Sequence, residues 1–292
     1  MKRKKTKQIH NEIANNLMYY IIHHIDTDLN IDKIAQDFNV SKFHLHRIFK
    51  EQLNANIYET IKSVRLQKAA NLLIANKDYT ITEIGSMCGY SILTSFLRAF
   101  KSQFGQTPKQ WRNGGHLTHY HKIINQDNRL LLAPSDFLHL KPKIVTMKDR
   151  EVYYIRYRGY NNSTNFVWEK LAVWVESNSI KNYHRIGVYY DNPSIIPLDE
   201  CYYVACIEPI DAEASISTDL PKSHIRGGAY AIFSLDGEYD DILRLIQWAY
   251  HHWLPSSGFS TITASSYCIF EENTSLENQK SFKCHYHLPI GL

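Results

Sequence analysis

No run of about eighteen uncharged apolar residues occurs in the chain, which excludes a membrane-spanning helix of ordinary length. The basic start, MKRKKTKQIHNEIANN, is followed by no apolar core segment, so it does not read as a secretory signal. Cysteine is scarce and unpatterned. Cys88, Cys201, Cys206, Cys268 and Cys284 are odd in number and include no C-x-x-C pair. That argues against a disulfide framework or a thiolate zinc site, fits a reducing cytosol, and leaves small buried thiols as the plain reading. His116, His119 and His121 cluster, but no carboxylate or cysteine stands at ligand spacing beside them. No nucleophile and base stand at a supporting spacing either. The expectation is a cytoplasmic protein with no cofactor, no metal site and no catalytic residues.

What is present begins with an uneven charge. The 292 residues allow two domains. The net charge of +4 hides a split: residues 1–122 hold 18 Lys+Arg and 9 Asp+Glu, the remainder 15 and 20. A basic half (+9) joined to an acidic half (−5) points to a polyanion partner for the first half alone.

The basic half repeats itself. Asn11 to His24 makes an amphipathic helix, and Leu29–Phe38 and Ser41–Gln52 follow as short helices about Asn39-Val40. Asn39 suits a tight turn and Ser41 an N-cap. Ile34-Ala35 recurs 50 residues later as Ile84-Gly85, a small residue where helices approach. Leu45-x-Arg47-x-Phe49-Lys50 recurs 51 residues later as Phe96-x-Arg98-x-Phe100-Lys101, with Gly89 in place of Asn39, so the second turn is one residue longer. Between the copies, Tyr58 to Ile74 forms a long helix able to hold both units. A repeated helix-turn-helix with a basic face is the geometry that seats a helix in the major groove, here in successive grooves about 34 Å apart.

Residues 8–112 closely resemble the DNA-binding domain of the AraC/XylS regulators. The resemblance rests on IDKIAQDFNVSKFHLHRIFK, YETIKSVRLQKAANLL and ITEIGSMCGYSILTSFLRAFKSQFGQTPKQWR. It implies base-reading positions at Phe43, His46 and Arg47 on the first recognition helix, where helical spacing turns Leu45, Ile48 and Phe49 inward and Lys42, Phe43, His46, Arg47 and Lys50 outward. Arg47 suits a guanine edge; Phe43 suits a thymine methyl or, equally, the core. On the second helix the implied positions are Leu93, Thr94 and Arg98. Here the chain departs from the family, because Ile92, Leu93 and Leu97 are apolar. Methyl contacts and DNA shape should then carry more of the readout, with Arg98 on phosphate. Lys50, Lys101, Lys109 and the run Lys2 to Lys7 would hold phosphates, although that run also reads as a solvated tail.

After Gly114-Gly115 the composition changes, and residues 115–140 read as a linker. A tandem β-α-β-β pattern follows. Its first copy is strand Lys143–Tyr157, helix Asn165–Glu176 and strands Ile186–Tyr190 and Tyr202–Pro209. The second is strand Ala229–Leu235, helix Asp240–Trp253 and strands Tyr267–Phe270 and Phe282–Leu288. Gly159 and Gly237 mark matching turns. The segments Arg158-Gly159-Tyr160, IGVYYDNP, PLDECYY, GGAYAIFSLDGEY and WLPSSG resemble the GyrI-like effector-binding domains. The order of the two modules resembles the Rob-like branch of the AraC family.

The resemblance implies a small hydrophobic, often cationic, ligand in a cleft between the repeats. Trp168, Trp174, Trp248, Trp253, Tyr189, Tyr190, Tyr203 and Tyr230 are the aromatic candidates, each of which is also a candidate for the core. Relatives that bind cations carry a buried glutamate where this chain has Cys268, which shifts the expected ligand toward a neutral aromatic molecule.

The fold expected is therefore multi-domain. Residues 1–114 form an all-α double helix-turn-helix, 115–140 a linker, and 141–292 a GyrI-like α+β tandem β-α-β-β repeat. The expected function is an effector-modulated, sequence-specific transcription regulator that binds duplex DNA as a monomer, with RNA polymerase a candidate partner. The alternatives are a C-terminal protein-partner module or a GyrI-like hydrolase.

Overall fold

A computed structural model of the protein describes residues 2–126, 137–160, 164–210, 216, 220–262, 264–271 and 282–291. The chain divides into two compact units, Met1–Gly115 and His116–Leu292.

The first unit is helical. Helix α1 (Lys2–His23) starts well before Asn11, since no Gly or Pro interrupts its run of good helix formers, and the run Lys2 to Lys7 is helical backbone. It buries Ala14, Leu17, Met18 and Ile21. Helix α2 (Ile31–Asp37) is capped by Asn30, whose side chain accepts from the Lys33 amide. Asn39 takes φ +54°, and Ser41 caps α3 (Lys42–Leu53) by accepting from the His44 amide at 3.2 Å. Helix α4 (Ile57–Ala75) links the copies. In the second copy, α5 (Ile81–Met87) has a reciprocal Thr80–Glu83 capping box.

Gly89 takes φ +77° before α6 (Leu93–Phe104). Asn39 stands three residues before Lys42 and Gly89 four before Leu93, which is the longer second turn. Gly89 is required twice over: a Cβ there would lie 2.4 Å from the Ile25 carbonyl, besides the left-handed φ. At Gly85 a Cβ would meet the Phe96 ring at 3.0 Å, the close approach expected of a small residue. A short helix α7 (Pro108–Gln110) and a π turn over Trp111–Gly115 close the unit. Trp111 packs on Phe100 and Phe104, and its indole donates to the Ala70 carbonyl on α4 at 3.1 Å.

The second unit opens with α8 (His116–Gln126), so the stretch expected as a linker begins as a helix; 127–136 lie outside the described residues. Tyr120 donates to Gln247 at 3.3 Å and the His119 ring bonds the Ile195 carbonyl at 2.9 Å, which fastens α8 to this unit.

Each repeat is a strand, a helix and two strands. The first is β2 (Arg150–Arg158), α9 (Asn165–Ser177), β3 (Tyr183–Tyr189) and β4 (Tyr202–Pro209). The second is β6 (Gly228–Gly237), α10 (Tyr239–Trp248), β8 (Ser266–Phe270) and β9 (Phe282–Gly291). Helix α10 continues through a π turn to Trp253 and into α11 (Leu254–Ser257), where one α-helix over 240–253 was expected. Strands β5 (Lys222–Ile225) and β7 (Ser260–Thr261) carry too short a pattern to be foreseen.

With β1 (Lys143–Met147) ahead of the first repeat, the sheet order is β1-β6-β9-β8-β3-β4-β2-β5, with β7 on β9. The repeats are related about the central antiparallel β3–β8 pair. The single strand expected over 143–157 is β1 (Lys143–Met147) and β2, bent at Lys148-Asp149. Opposite it, β5 and β6 bend at Arg226-Gly227, where the Gly227 amide donates to the Asp149 carboxylate at 2.6 Å and a Cβ would strike the Met147 carbonyl.

One register runs across both bends, from Lys143↔Ile232 through Met147↔Gly228 to Arg150↔Ile225 and Tyr153↔Lys222. Tyr153 also pairs Ile207, and Tyr230 pairs both Val145 and Pro289, so the sheet closes upon itself. Helices pack on one face, while the inner face buries Val152, Tyr154, Ile186, Val188, Val204 and Tyr267 among others.

Candidate DNA-reading helices and effector cleft

Helix α3 buries Leu45, Ile48 and Phe49 completely. That fixes its outward face. Phe43 is 87% exposed, which decides against the core. Lys42 pairs with Asp32 at 2.8 Å and Arg47 with Glu51 at 3.8 Å; both are surface pairs of little intrinsic worth. His46 lies against the Tyr58 ring, 5.3 Å between centroids, and burial with the Lys42 charge lowers its pKa. It is therefore neutral at pH 7, one ring nitrogen donating and the other accepting. Lys50 is exposed at the end of the same face.

Helix α6 buries Phe96, Phe100 and Phe104 and exposes Leu93, Thr94, Arg98 and Lys101, with Ile92 59% exposed just before it. Its outward face is thus apolar at the start and basic along its length.

Arg65 on α4 escaped the sequence reading. Its Nε donates to the Ile25 carbonyl at 3.0 Å and its Nη2 to the Thr27 carbonyl at 2.8 Å, while the guanidinium stands 5.8 Å from the Tyr90 ring. It ties the end of α1 to the turn before α6, and helical periodicity carries no signal for such a clamp. Arg112 acts similarly, donating to the Tyr79 carbonyl at 2.6 Å.

The effector candidates separate into three groups. Trp168 on α9 donates from its indole to the Tyr203 hydroxyl at 3.2 Å and meets Phe270 edge-on, and Tyr203 packs against Tyr189. The Arg185 guanidinium stands 5.1 Å from the Trp168 ring. Cys268 pairs Gly187 at the centre of the helix-bearing face, and there a Cβ at Gly187 would lie 2.5 Å from the Tyr203 hydroxyl. Burial pushes the Cys268 thiol up, so it is neutral. In the second repeat, Trp248 and Trp253 both pack on Phe233.

Tyr190 and Tyr230 are the exceptions. Both face the inner cluster, on the side of the sheet away from the helices, and Tyr230 packs on Tyr267 and donates to the Arg226 carbonyl. Trp174 packs on Tyr153. Trp168, Tyr189, Tyr203, Tyr230, Trp248 and Cys268 are all buried; Tyr190 and Trp253 are half-buried. The helix-face aromatics other than Trp253 are therefore buried within the packing of the unit.

His116 stacks on His251 (5.8 Å, 11°). Among the described residues no cluster of three or more His, Cys, Asp or Glu is placed to hold a metal, and no helix is long and apolar enough to cross a membrane.

Residues 34–114 match a helix-turn-helix domain family and residues 140–290 the GyrI-like small molecule binding domain. The chain is 34% identical over 96 residues to the xylose operon regulatory protein of Escherichia coli, which covers 33% of this chain and 24% of that protein. It is 35% identical over 119 residues to the probable transcription factor PqrA of Proteus vulgaris, 39% of this chain and 97% of that one. Over 295 positions it is 22% identical to the transcriptional regulator Rob of Salmonella typhimurium, covering 95% and 98% of the two chains.

Proposed function

The chain belongs to the AraC-type transcriptional regulators that carry a GyrI-like small molecule binding domain, and on that premise we propose that α3 and α6 enter successive major grooves of one asymmetric DNA site. The observation that carries this reading is the pair of outward faces, each backed by a fully buried apolar face that fixes which side chains point away. Phe43 packs on a thymine methyl, and His46 and Arg47 meet base edges. Leu93 and Thr94 read methyls and groove shape, and Arg98, Lys50 and Lys101 bind phosphate.

The effector is a neutral or weakly polar aromatic molecule, stacked between Trp168 and Trp253 above Tyr189, Tyr203 and Cys268. With Cys268 neutral, no carboxylate on this floor would hold a cation. Entry requires the packed aromatics to separate, so the ligand acts by favouring an opened state of the cleft. The chain has no catalytic role, works as a monomer in the cytosol, and meets RNA polymerase at its promoter. The burial of these aromatics favours one second reading, in which the C-terminal unit docks a protein partner instead.

In vitro selection of the full chain against random duplex tests the first part. Recovery of one asymmetric site, with submotifs about one helical turn apart, is the expected result. Purely salt-dependent, sequence-blind binding would refute it.

A further inference from the structure

Strand β2 places Arg150, Arg156 and Arg158 on the inner face of the sheet, in step with Val152 and Tyr154. Arg150 is neutralised: it donates to Glu208 at 2.5 Å, and His184 shares the same carboxylate oxygen at 2.7 Å. Arg156 differs. Its guanidinium stands 5.5 Å from the centroid of the Tyr154 ring and makes no ion pair among the described residues. Among the described residues, Arg156 Nε and the Tyr154 hydroxyl are both buried without a well-aligned hydrogen-bond partner, while the Arg156 side chain stands close enough to interact with the Tyr154 and Tyr190 hydroxyls. Tyr154 is only 3% exposed.

Tyr190 and Tyr202 stand half-buried around this corner, and Val188 and Val204 form its apolar floor. The Arg156 charge opposes the rise that burial imposes on the Tyr154 and Tyr190 hydroxyls and the Cys206 thiol, which places all four groups together. The acid beside them, Asp191, accepts from the Tyr202 amide at 2.7 Å.

A guanidinium whose buried neighbours are phenol hydroxyls, with no counter-ion among the described residues, leaves the hydroxyl protons without an acceptor, which is costly unless an acceptor arrives. A guanidinium beside them calls for a charged acceptor, since ionic hydrogen bonds are the strong ones and the arginine fork matches an oxyanion. We propose that this corner binds the carboxylate of a small aromatic acid, held by Arg156 and Tyr154 with its ring against Tyr190. The site lies on the opposite face of the sheet from the Trp168–Trp253 cleft, so it does not depend on that cleft being an effector site. It also reverses the charge preference of a cation-binding pocket.

Calorimetry on the full chain with three probes of one shape tests this: 2-naphthoate, 2-naphthylmethanol and 2-naphthylmethylammonium. The acid should bind at least tenfold more tightly than the alcohol, and the ammonium less tightly than either. Arg156→Gln should weaken the acid at least tenfold and leave the alcohol unchanged, Arg156→Lys should fall between, and Trp168→Ala should leave the affinity for the acid unchanged. If Arg156→Gln fails to fold, the three probes on the unaltered chain and the Tyr154→Phe variant, expected to lose several-fold for the acid alone, decide the matter. Equal binding of the three probes, no binding of the acid, or an acid affinity indifferent to Arg156→Gln would overturn the proposal. Binding of the acid that Trp168→Ala abolishes and Arg156→Gln spares would overturn it while supporting the helix-face cleft.

Discussion

Phe43 shows how a residue's place in the packing separates recognition from stability. At 87% exposure it contributes almost nothing to folding, yet an apolar side chain held out on the helix proposed to enter the major groove is available to a thymine methyl. Phe43→Ala should therefore weaken the selected site by about 1–2 kcal/mol, roughly five- to thirtyfold, and leave the melting temperature unchanged. Parallel gel-shift titration and thermal unfolding check both halves of that statement. Gly89→Ala should do the reverse. With φ +77° and 2.4 Å to the Ile25 carbonyl, the methyl forces the α5–α6 turn apart, at about 2 kcal/mol or more in a urea titration. Asn39, Ser41 and Gly89 were legible in the sequence because turn and cap chemistry is local. Phe43 was not, because helical spacing turned it outward while its aromatic character suited a core. Arg65 was invisible for another reason: its carbonyl partners at Ile25 and Thr27 lie 40 and 38 residues away.

Elements in the second unit depend on neighbours far along the chain. Helix α8 lies in a polar stretch of sequence, yet it is fastened through His119, Tyr120 and the His116–His251 stack. Burial lowers the His251 pKa to about 3 and that of His287, stacked on Tyr267 at 4.3 Å, to about 4; His119 is lowered by burial as well. The folded values lie below the unfolded value of about 6.5, so the unfolded chain takes up protons first. Stability should hold above pH 6.5 and fall as the pH drops from 6.5 toward 3. Between pH 7.5 and pH 5 the loss should be on the order of 2–4 kcal/mol, read from urea midpoints by tryptophan emission, since four of the five tryptophans lie in this unit. Replacing His251 by Asn or Gln should flatten that dependence. The one-strand reading of 143–157 erred for a related reason. The alternation continues through Lys148-Asp149, and only the opposing bend at Arg226-Gly227 shows that the strand folds over to close the sheet.

At the scale of the whole chain, charge predicts where DNA binds. The first unit carries its own core, sealed by Trp111 on Ala70, and the match to PqrA spans nearly all of that shorter protein. Residues 1–115 alone should therefore fold and bind the selected duplex, losing roughly a hundredfold or more in affinity between 50 and 200 mM salt. A fragment that folds but ignores DNA would break the assignment of α3 and α6.

The sequence by itself determined the two-unit plan, the doubled helix-turn-helix with its unequal turns, and the tandem repeat. Each of these is written in local periodicity, caps and composition, which need no distant partner to be seen. Only the tertiary structure decided that Phe43 stands in solvent, that Tyr190 and Tyr230 leave the helix-face aromatics for the inner face, and that Arg156 has no ion-pair partner among the described residues. Those outcomes depend on strand register and sheet closure. A shift of one residue exchanges the faces of a strand, and alternation alone does not say which face lies inside.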